Sequence, residues 1–437
     1  MAHQADNVIG FDLNDQYCQI SYCHEGMEEP VTREVLADNY KIPLAIGTYR
    51  SRWTYGQEAI RYGLGENGHY CDHLLSHALA GEILVLGKKE FRAVALLEKF
   101  IQLALSSYNQ ITHIVFSVPE VSEDVVRLLK TIAERLGFDS SHAIVQDYKE
   151  SFCHFMFDQP KELWQYEAAL FYCDKEQVSA YMMKRIDTGL SRYAGTFVMV
   201  EEVSHALMTE LHVTFPVMNV DAAMEADVRF MHWVNGVFDR RRVSSVFLTG
   251  EGFETNWYPE TLKLMCNGRR VFIGNNLYSK GACYDAFRRQ LGRGAGPIYL
   301  DQSKMTDRIC MKIRRGDREE MFPIVSWGEH WYESDHQYEI LLENNDPIEL
   351  YQNSLATGEE KTITVSLDGL PDRKNYTLRL IVQAVFTDEN RCRITFKDAG
   401  FGEIFPETDF FTEVDFLLGG SNEQFNTLSY TKSNTTV

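Results

Sequence analysis

The chain has 437 residues, of which 44% are hydrophobic and 24% are charged, and its formal net charge is −20. This length predicts two domains, and the composition is typical of a folded globular protein, which excludes disordered and fibrous classes. The negative charge repels phosphate backbones, so nucleic acid is not an expected partner.

The nine cysteines and the N-terminal segment indicate the cellular compartment of the protein. An odd number of cysteines without a CxxC pair is typical of a reducing compartment. The N-terminus lacks the basic and apolar regions of a signal peptide, and no apolar run approaches the roughly 18 residues that span a membrane. We therefore expect a cytoplasmic protein without a membrane span.

The first half of the chain alternates predicted strands and helices. Residues 8–13 are predicted to form a buried strand, which pairs across a polar turn with residues 19–22. The next elements are a helix at 90–105, a strand at 114–118, a helix from the N-cap Ser122 to Gly137, a strand at 143–145, a helix from about Glu150, strands at 168–172 and 178–183, a helix at 224–238 and a strand at 243–248.

The pattern changes after about residue 300, where apolar and polar residues begin to alternate. Ile363, Val365 and Leu367 share one face, and a strand at 378–386 turns into a second strand at 392–396. This alternation predicts a β-sandwich-like domain. The last stretch, 421–437, is rich in Ser, Thr and Asn, and we expect it to form a frayed tail.

A glycine turn is the most informative local motif. The strand that ends at Thr249 is followed by Gly250-Glu251-Gly252, and helical segments follow from Pro259 and after Gly274. Glycine lets the backbone approach a ligand closely, and a helix N-terminus offers free N–H groups. The same turn also occurs as plain tight packing, and both interpretations stay open at this point.

This arrangement resembles the adenosine-binding segment of the actin and DnaK-type chaperone ATPase superfamily. Residues 8–22 resemble its first phosphate hairpin, and residues 115–147 resemble its connecting segment. Three segments of the β-rich part resemble the peptide-binding β-domain of DnaK-type chaperones, namely 367–371, 386–390 and 394–398. The similarity covers most of residues 8–400 at low identity, and we expect no helical lid after the β-domain.

The resemblance implies an α/β fold class and a domain plan. Residues 1–298 would form an actin-like ATPase (ribonuclease H-like) nucleotide-binding domain. Residues 299–420 would form an all-β sandwich that resembles a chaperone substrate-binding domain, and residues 421–437 would be a disordered tail.

The resemblance also implies ATP held between two phosphate hairpins, with carboxylates that position Mg²⁺ through water. Asp12 would be the first-hairpin carboxylate, Asp147 would stand where the family usually has a glutamate, and Asp174 would be the second-hairpin carboxylate. Asp12 and Asp147 would be the catalytic and metal-binding pair in an active enzyme. The implied nucleotide-binding set is Gly10, Asp12, Asn14, Asp15, Asp174, Gly250, Glu251 and Gly252. The alternative is that Asp12 and Asp147 each merely end a strand and cap or hydrate a turn.

The phosphate loops depart from the family pattern. Asn14, Asp15 and Gln16 replace the glycine and hydroxyl residues that wrap phosphates, and the extra carboxylate at Asp15 repels polyphosphate. Residues 175–177 replace the glycine run that should follow Asp174. Because phosphoryl transfer depends on positioning and charge stabilisation, we expect little or no hydrolysis.

Three further groups of residues have two interpretations each. His69, His73 and His77 would share one face of a helix, which suits zinc, or they form a polar surface. The run 240–242 is basic and forms either a functional basic patch or a solvated corner, and we favour the corner. Four aromatic residues of the β-rich part lie among acidic residues, namely Trp327, Trp331, Tyr332 and Tyr338. If they are exposed they would suit protein binding, and if they are buried they close the core of the domain.

The leading hypothesis is a chaperone-like protein-binding protein with a degenerate ATP-binding domain. Its β-domain would engage a protein or an extended peptide by strand addition at a sheet edge. An active ATPase whose nucleotide state controls the β-domain is one alternative. An actin-like scaffold without nucleotide is the other.

Overall fold

The computed structural model describes residues 7–37, 39–65, 68–186, 196–215, 217, 220–291, 296–301, 304–333, 336–373, 377–388 and 390–418. Two compact units divide the chain. The first unit comprises residues 1–184 and 200–296, and the second comprises residues 185–199 and 297–437. The main division thus lies two residues before the predicted boundary, and the sequence did not indicate that 185–199 joins the second unit. The predicted tail at 421–437 lies outside the described residues.

The first unit alternates short strands and helices. In chain order its elements are β1 (Asn7–Leu13), β2 (Tyr17–His24), β3 (Val31–Thr32), β4 (Ile42–Pro43), β5 (Ile46–Tyr49), β6 (Arg52–Tyr55), α1 (Gly56–Gly63), β7 (His69–Cys71), α2 (Leu74–Leu79), β8 (Ile83–Leu86), β9 (Lys89–Arg92), α3 (Ala93–Leu105), β10 (Ile111–Val118), α4 (Glu123–Arg135), β11 (Ala143–Asp147), α5 (Tyr148–Phe157), β12 (Glu167–Cys173), β13 (Gln177–Ile186), β14 (Phe197–Leu207), α6 (Val220–Phe238), β15 (Val243–Thr249), α7 (Pro259–Cys266), β16 (Arg270–Ile273) and α8 (Leu277–Gln290). β13 and β14 extend by a few residues into the second unit.

Two sheets of the first unit have the same strand order. One runs β11-β10-β1-β2-β3, with β4 paired to β2. The other runs β16-β15-β12-β13-β14, and a two-residue strand at Ile298–Tyr299 pairs with the start of β14. In each sheet a hairpin of two antiparallel strands, β1–β2 or β12–β13, comes first in the chain. The two outer strands on the other side run parallel to the first hairpin strand. No internal repeat is visible in the sequence, so the repetition is one of topology.

Local sequence signals account for the helix ends. Ser122 is the N-cap of α4, where its side chain accepts a hydrogen bond from the Val125 N–H at 3.4 Å, and Gly137 follows the helix with a φ of 93°. Both features confirm the predicted cap and stop. α3 begins at Ala93 and not at residue 90, because residues 89–92 pair with β8 in a hairpin.

Helix α8 packs directly on β1 at Gly10. A Cβ atom at Gly10 would lie 2.1 Å from the Ser279 carbonyl oxygen and 2.3 Å from the Cys283 nitrogen. Only a residue without a side chain fits between the strand and the helix backbone. Helix packing by itself requires a glycine at this position, and the predicted ligand role of Gly10 stays a prediction.

The second unit is a β-sandwich. Its elements are β17 (Ile298–Tyr299), β18 (Asp307–Arg315), β19 (Arg318–Val325), β20 (Gln337–Leu342), β21 (Ile348–Ser354), β22 (Glu360–Val365), β23 (Leu378–Asp388), β24 (Arg391–Asp398) and β25 (Phe411–Leu417). The sheets β19-β18-β21-β22 and β20-β23-β24-β25 are antiparallel throughout. Their inward-facing residues share one hydrophobic core, which includes Leu350, Leu380 and Phe396.

The aromatic group of the second unit mostly closes cores. Trp327 is 8% exposed and packs edge-on against Phe197, with ring centroids 5.6 Å apart. Trp331 and Tyr338 pack against the core of the sandwich. For these three residues the core interpretation is the one that the packing supports. Among the described residues, no helix has both the length and the apolar character that crossing a membrane requires.

Candidate functional site

A cleft of about 690 Å³ lies in the first unit where two hairpin turns meet the glycine turn. The β1–β2 turn contributes Asn14 and Asp15, and the β12–β13 turn contributes Asp174. Gly250 and Glu251 line the cleft after β15. Five of the predicted site residues therefore meet around one cavity, whose volume is in the usual range of small-molecule sites.

The two hairpin turns are closed by the same hydrogen bonds. Asn14 Oδ1 accepts hydrogen bonds from the Gln16 and Tyr17 N–H groups, both at 2.9 Å. Asp174 Oδ1 accepts from the Glu176 N–H at 2.8 Å and the Gln177 N–H at 2.9 Å. Successive backbone N–H groups in such turns are the donors that cradle phosphates in other proteins. Here they already donate to a side chain of their own turn.

The shared turn geometry also corrects the predicted equivalence of Asp12 and Asp174. The last paired residues are Leu13 in the first hairpin and Cys173 in the second, so Asp174 corresponds to Asn14. Tyr172 stands where the first hairpin has Asp12. The sequence comparison matched Asp12 with Asp174 because both are carboxylates, and this match is two residues out of register. Equivalent positions in two hairpins are set by strand pairing and not by residue type.

Asp12 lies beneath the cleft and does not line it. Its side chain is 1% exposed, and Tyr148 donates a hydrogen bond to Asp12 Oδ1 at 2.7 Å. Asp12 Oδ2 has no partner among the described residues. Burial raises the pKa of Asp12 to about 7, and the Tyr148 hydrogen bond and the charge of Lys41 oppose this rise only in part.

Aromatic rings form the floor of the cleft. Tyr148 stacks on Tyr278 with ring centroids 3.9 Å apart and an angle of 3° between the planes. Tyr17, Tyr172 and Tyr181 also line the cavity. Sequence reasoning did not select these five tyrosines. Only the position of Tyr17 next to a turn and of Tyr148 after a strand could have drawn attention to them.

Asp147 ends β11 and begins α5. Its Oδ1 atom accepts a hydrogen bond from the Glu150 N–H at 2.7 Å, which makes Asp147 the N-cap of the helix. Asp147 does not line the cleft. The geometry of Asp147 is therefore that of a residue that ends a strand and caps a helix, as the alternative interpretation predicts.

Asp15 lines the cleft, but its carboxylate is held by the segment that begins α2. Oδ2 accepts from His73 Nδ1 and from the Ser76 hydroxyl, and Oδ1 accepts from the Ser76 N–H, each at 2.9 Å. Burial alone would raise the pKa of Asp15, but these hydrogen bonds lower it below its ordinary value. The carboxylate is therefore ionised and adds negative charge beside the cleft.

The histidine hypothesis for zinc is wrong because its helical premise fails. His69 lies in β7, and α2 begins only at Leu74. The Nδ1 atom of His73 contacts Asp15 Oδ2 at 2.9 Å, and the Nδ1 atom of His77 contacts Glu82 Oε2 at 2.6 Å. Within the described part of the chain, no group of three histidine, cysteine or acidic residues is arranged to hold a metal ion.

The glycine turn fits closely against β12. Gly250 has a φ of 101°, and a Cβ atom there would lie 2.1 Å from the Cys173 carbonyl oxygen. A Cβ atom at Gly252 would lie 2.3 Å from Cys173 Sγ, and Gly252 does not line the cleft. Of the two interpretations that the sequence left open, tight packing accounts for Gly252. Gly250 serves packing and borders the cavity as well.

The charges around the cleft are mainly negative. Two lysines, Lys149 and Lys175, face five carboxylates, namely Asp15, Glu120, Asp174, Glu176 and Glu251. Lys175 is paired with Glu251 at 3.1 Å. A polyanion entering this cavity would meet a net negative charge.

Comparisons with known proteins place the chain in a family. A search of curated proteins finds no match. Residues 304–418 match a domain of unknown function, DUF8552. Residues 29–302, which are more than half of the chain, match the C-terminal part of the family of unknown function DUF5716. The chain therefore belongs to the DUF5716 family.

Proposed function

We propose that this protein is a chaperone-like protein-binding protein whose first unit is a degenerate actin/DnaK-type nucleotide-binding domain with little or no hydrolysis. One observation carries the proposal: both hairpin turns at the cleft donate their N–H groups to Asn14 or Asp174. A phosphate would have to break these bonds before the turns could hold it.

The relation to the superfamily is supported by the repeated topology. Two sheets with the same order each present a hairpin turn to one cleft, and the turn after β15 completes it. We propose that this repetition reflects a ribonuclease H-like nucleotide-binding domain. The sequence resemblance and the strand order thus support the same fold class independently.

The residues at the cleft do not fit Mg²⁺ and a triphosphate. Asp12 is 1% exposed, and Tyr148 covers it and donates a hydrogen bond to its Oδ1 atom. Mg²⁺ requires ionised, accessible oxygen ligands. The excess of carboxylates over lysines around the cavity opposes a triphosphate further.

Protein binding is supported by an edge of the sandwich. Within the described residues, β25 is the terminal strand of its sheet, and an edge strand offers unpaired backbone groups to an extended segment. Phe411 is 56% exposed and Leu417 is 72% exposed, at the two ends of this strand. Large exposed apolar residues on an edge strand favour a partner that adds as a further strand.

Calorimetry with the full chain tests the nucleotide half of the proposal. We expect no heat of binding for ATP with Mg²⁺ up to millimolar concentration, and no turnover. A double variant, Asn14→Gly with Asp174→Gly, releases the turn N–H groups and should bind more strongly than the parent. Binding with turnover that Asp12→Ala abolishes would instead support the active ATPase. Absence of nucleotide binding together with self-assembly would support the scaffold.

Aggregation of a denaturing model protein tests the other half. The full chain should suppress aggregation equally with and without ATP, and Phe411→Ser with Leu417→Ser should reduce suppression. Leu341→Ser is the matched control, since Leu341 is 54% exposed on β20, the terminal strand at the other end of the same sheet. Equal loss in the control, or no suppression by the parent chain, would contradict protein binding at β25.

A further inference from the structure

A second concave site of about 400 Å³ lies in the first unit and shares no residue with the cleft. It is lined by Arg241 and Arg242 just before β15 and by Arg269 just before β16. These are the starts of two parallel strands, whereas the cleft lies at their ends. Three arginines therefore converge at the opposite edge of the same sheet.

The three guanidinium groups differ in their partners. Arg241 pairs with Glu167 at 3.2 Å. Arg242 lies over the Tyr166 ring at 5.9 Å from its centroid, and Arg269 lies over the Phe238 ring at 4.0 Å. Within the part of the chain that the structure describes, neither Arg242 nor Arg269 has a carboxylate within ion-pair distance.

Arg269 is the most informative of the three. It is half-buried, and burial lowers the pKa of its guanidinium. Its Nη1 atom donates only to backbone carbonyl oxygens, those of Leu264 at 3.4 Å and Asn267 at 3.3 Å. A partly desolvated cation without a counter-ion destabilises a fold, and an anion in the pocket would relieve this cost.

The chemistry of the lining selects the kind of anion. Guanidinium groups match phosphate oxygens with two parallel hydrogen bonds, and stacking on aromatic rings orients them in advance. The Ser244 and Asn267 positions add polar groups, and only one acidic residue, Glu162, lines the pocket. In a chain with a net charge of −20, this local concentration of positive charge does not follow from composition.

We propose that this pocket binds a phosphate monoester dianion, carried either by a small molecule or by a phosphorylated side chain of a partner protein. The basic run at 240–242 is thus only in part a solvated corner. Arg240 fits that description, because its side chain is 93% exposed and contacts Asp239 at 3.6 Å. Arg241 and Arg242 line the site instead.

Calorimetry of the full chain with phenyl phosphate at low ionic strength tests the proposal. Arg242→Gln and Arg269→Gln should each weaken binding by about tenfold or more, since each removes a charged donor. Arg240→Gln is the matched control: it removes the same charge from the adjacent position, outside the pocket, and should leave binding unchanged. Affinity should also rise with pH through about 6, as the monoester becomes a dianion.

Several results would overturn the proposal. Phenyl phosphate that fails to bind at millimolar concentration would do so, and so would equal weakening in the Arg240→Gln variant. Arg242 is exposed, so its variant keeps the test valid if Arg269→Gln does not fold. Arms with inorganic phosphate, a phosphopeptide and the same peptide without phosphate distinguish the two sources. If the phosphopeptide binds more strongly than inorganic phosphate, the natural ligand is a phosphorylated side chain of a partner protein. If inorganic phosphate binds more strongly, the natural ligand is a small molecule.

Discussion

The Tyr148 hydroxyl donates a hydrogen bond to Asp12 Oδ1 over 2.7 Å and joins the start of α5 to β1. The ring of Tyr148 stacks on Tyr278 from α8, so the tyrosine is held on two sides. A buried carboxyl group is thereby closed off from the cleft at the position where the resemblance implies a metal-binding carboxylate. Its protonation then depends on burial, and this makes the stability of the fold sensitive to pH.

Replacement of Asp12 by Asn should stabilise the protein at alkaline pH. Burial raises the pKa of Asp12 to about 7, so between about pH 4 and pH 7 the folded chain holds more protons than the unfolded chain, and stability falls as pH rises. We therefore compare the unfolding free energy of Asp12→Asn with that of the parent at each pH. This difference should favour the variant more at about pH 8 than at about pH 4, by up to about 4 kcal/mol. Urea unfolding across this range measures it.

Asp15→Asn is the control with the opposite sign. The pKa of Asp15 lies below its ordinary value, so its ionised form stabilises the fold above the ordinary pKa, and this contribution disappears as pH falls. The variant should lose stability at neutral pH and recover relative to the parent in acid. If both variants change stability in the same direction with pH, the assignment of a raised pKa to Asp12 is wrong.

Tyr148→Phe should lower stability and depend on pH as well. The change removes the hydroxyl that bonds to Asp12, and a hydrogen bond to a charged group contributes more than one to a neutral group. We expect a loss of about 1 kcal/mol at acidic pH and about 2 kcal/mol at alkaline pH in chemical denaturation. Tyr258→Phe is matched, since the Tyr258 hydroxyl donates to the neutral Phe253 carbonyl at 3.3 Å. A loss in Tyr148→Phe that is independent of pH would contradict the link to Asp12.

Gly10→Ala should destabilise the first unit severely. The added Cβ would lie 2.1 Å from the Ser279 carbonyl oxygen, which belongs to a helix backbone and cannot move alone. We expect a loss of about 3 kcal/mol in the unfolding free energy. Gly236→Ala in α6 is the control with the same chemical change, because nothing lies within 4 Å of its Cβ position. It should stabilise the protein by about 1 kcal/mol, because alanine favours helix more than glycine does. A mild effect at Gly10 would mean that α8 does not pack on β1.

The buried ion pair Arg373–Asp398 should dominate the stability of the second unit. The two guanidinium nitrogens of Arg373 donate to the two oxygens of Asp398 at 3.0 and 2.9 Å, and Asp398 is 0% exposed. Arg373→Leu would leave a buried carboxylate without its partner, which costs about 3–5 kcal/mol. Thermal unfolding of the full chain, followed by hydrogen exchange in the second unit, measures this loss.

The exposed pair Arg393–Asp415 provides the comparison. Arg393 contacts Asp415 at 2.7 Å, but both side chains are largely in solvent, where such pairs contribute little. Arg393→Leu should therefore leave the unfolding temperature nearly unchanged. Equal losses in Arg373→Leu and Arg393→Leu would show that burial of the Asp398 pair does not determine its contribution.

Predictions made from the sequence were most successful where the signal is local. Ser122 as an N-cap, Gly137 as a stop, and the strands β22, β23 and β24 all follow from caps, turns and apolar periodicity over a few residues. The strands and helices between residues 31 and 92 were missed, because their short lengths leave too few residues for any period to show. The packing that requires glycine at Gly10 and Gly252 could not be predicted, because the atoms that exclude a side chain there come from segments that are distant in the sequence.

By itself, the sequence of this protein determined the change from alternating strands and helices to a β-rich part, most element positions, and the departure of both hairpin turns from a phosphate-binding pattern. The tertiary structure decided that Tyr148 covers Asp12, that Tyr278 stacks beneath the cleft, and that Arg242 and Arg269 meet in one pocket. The reason is physical. Periodicity and capping act between neighbours in the chain, whereas burial, pKa and charge depend on which distant segments pack together.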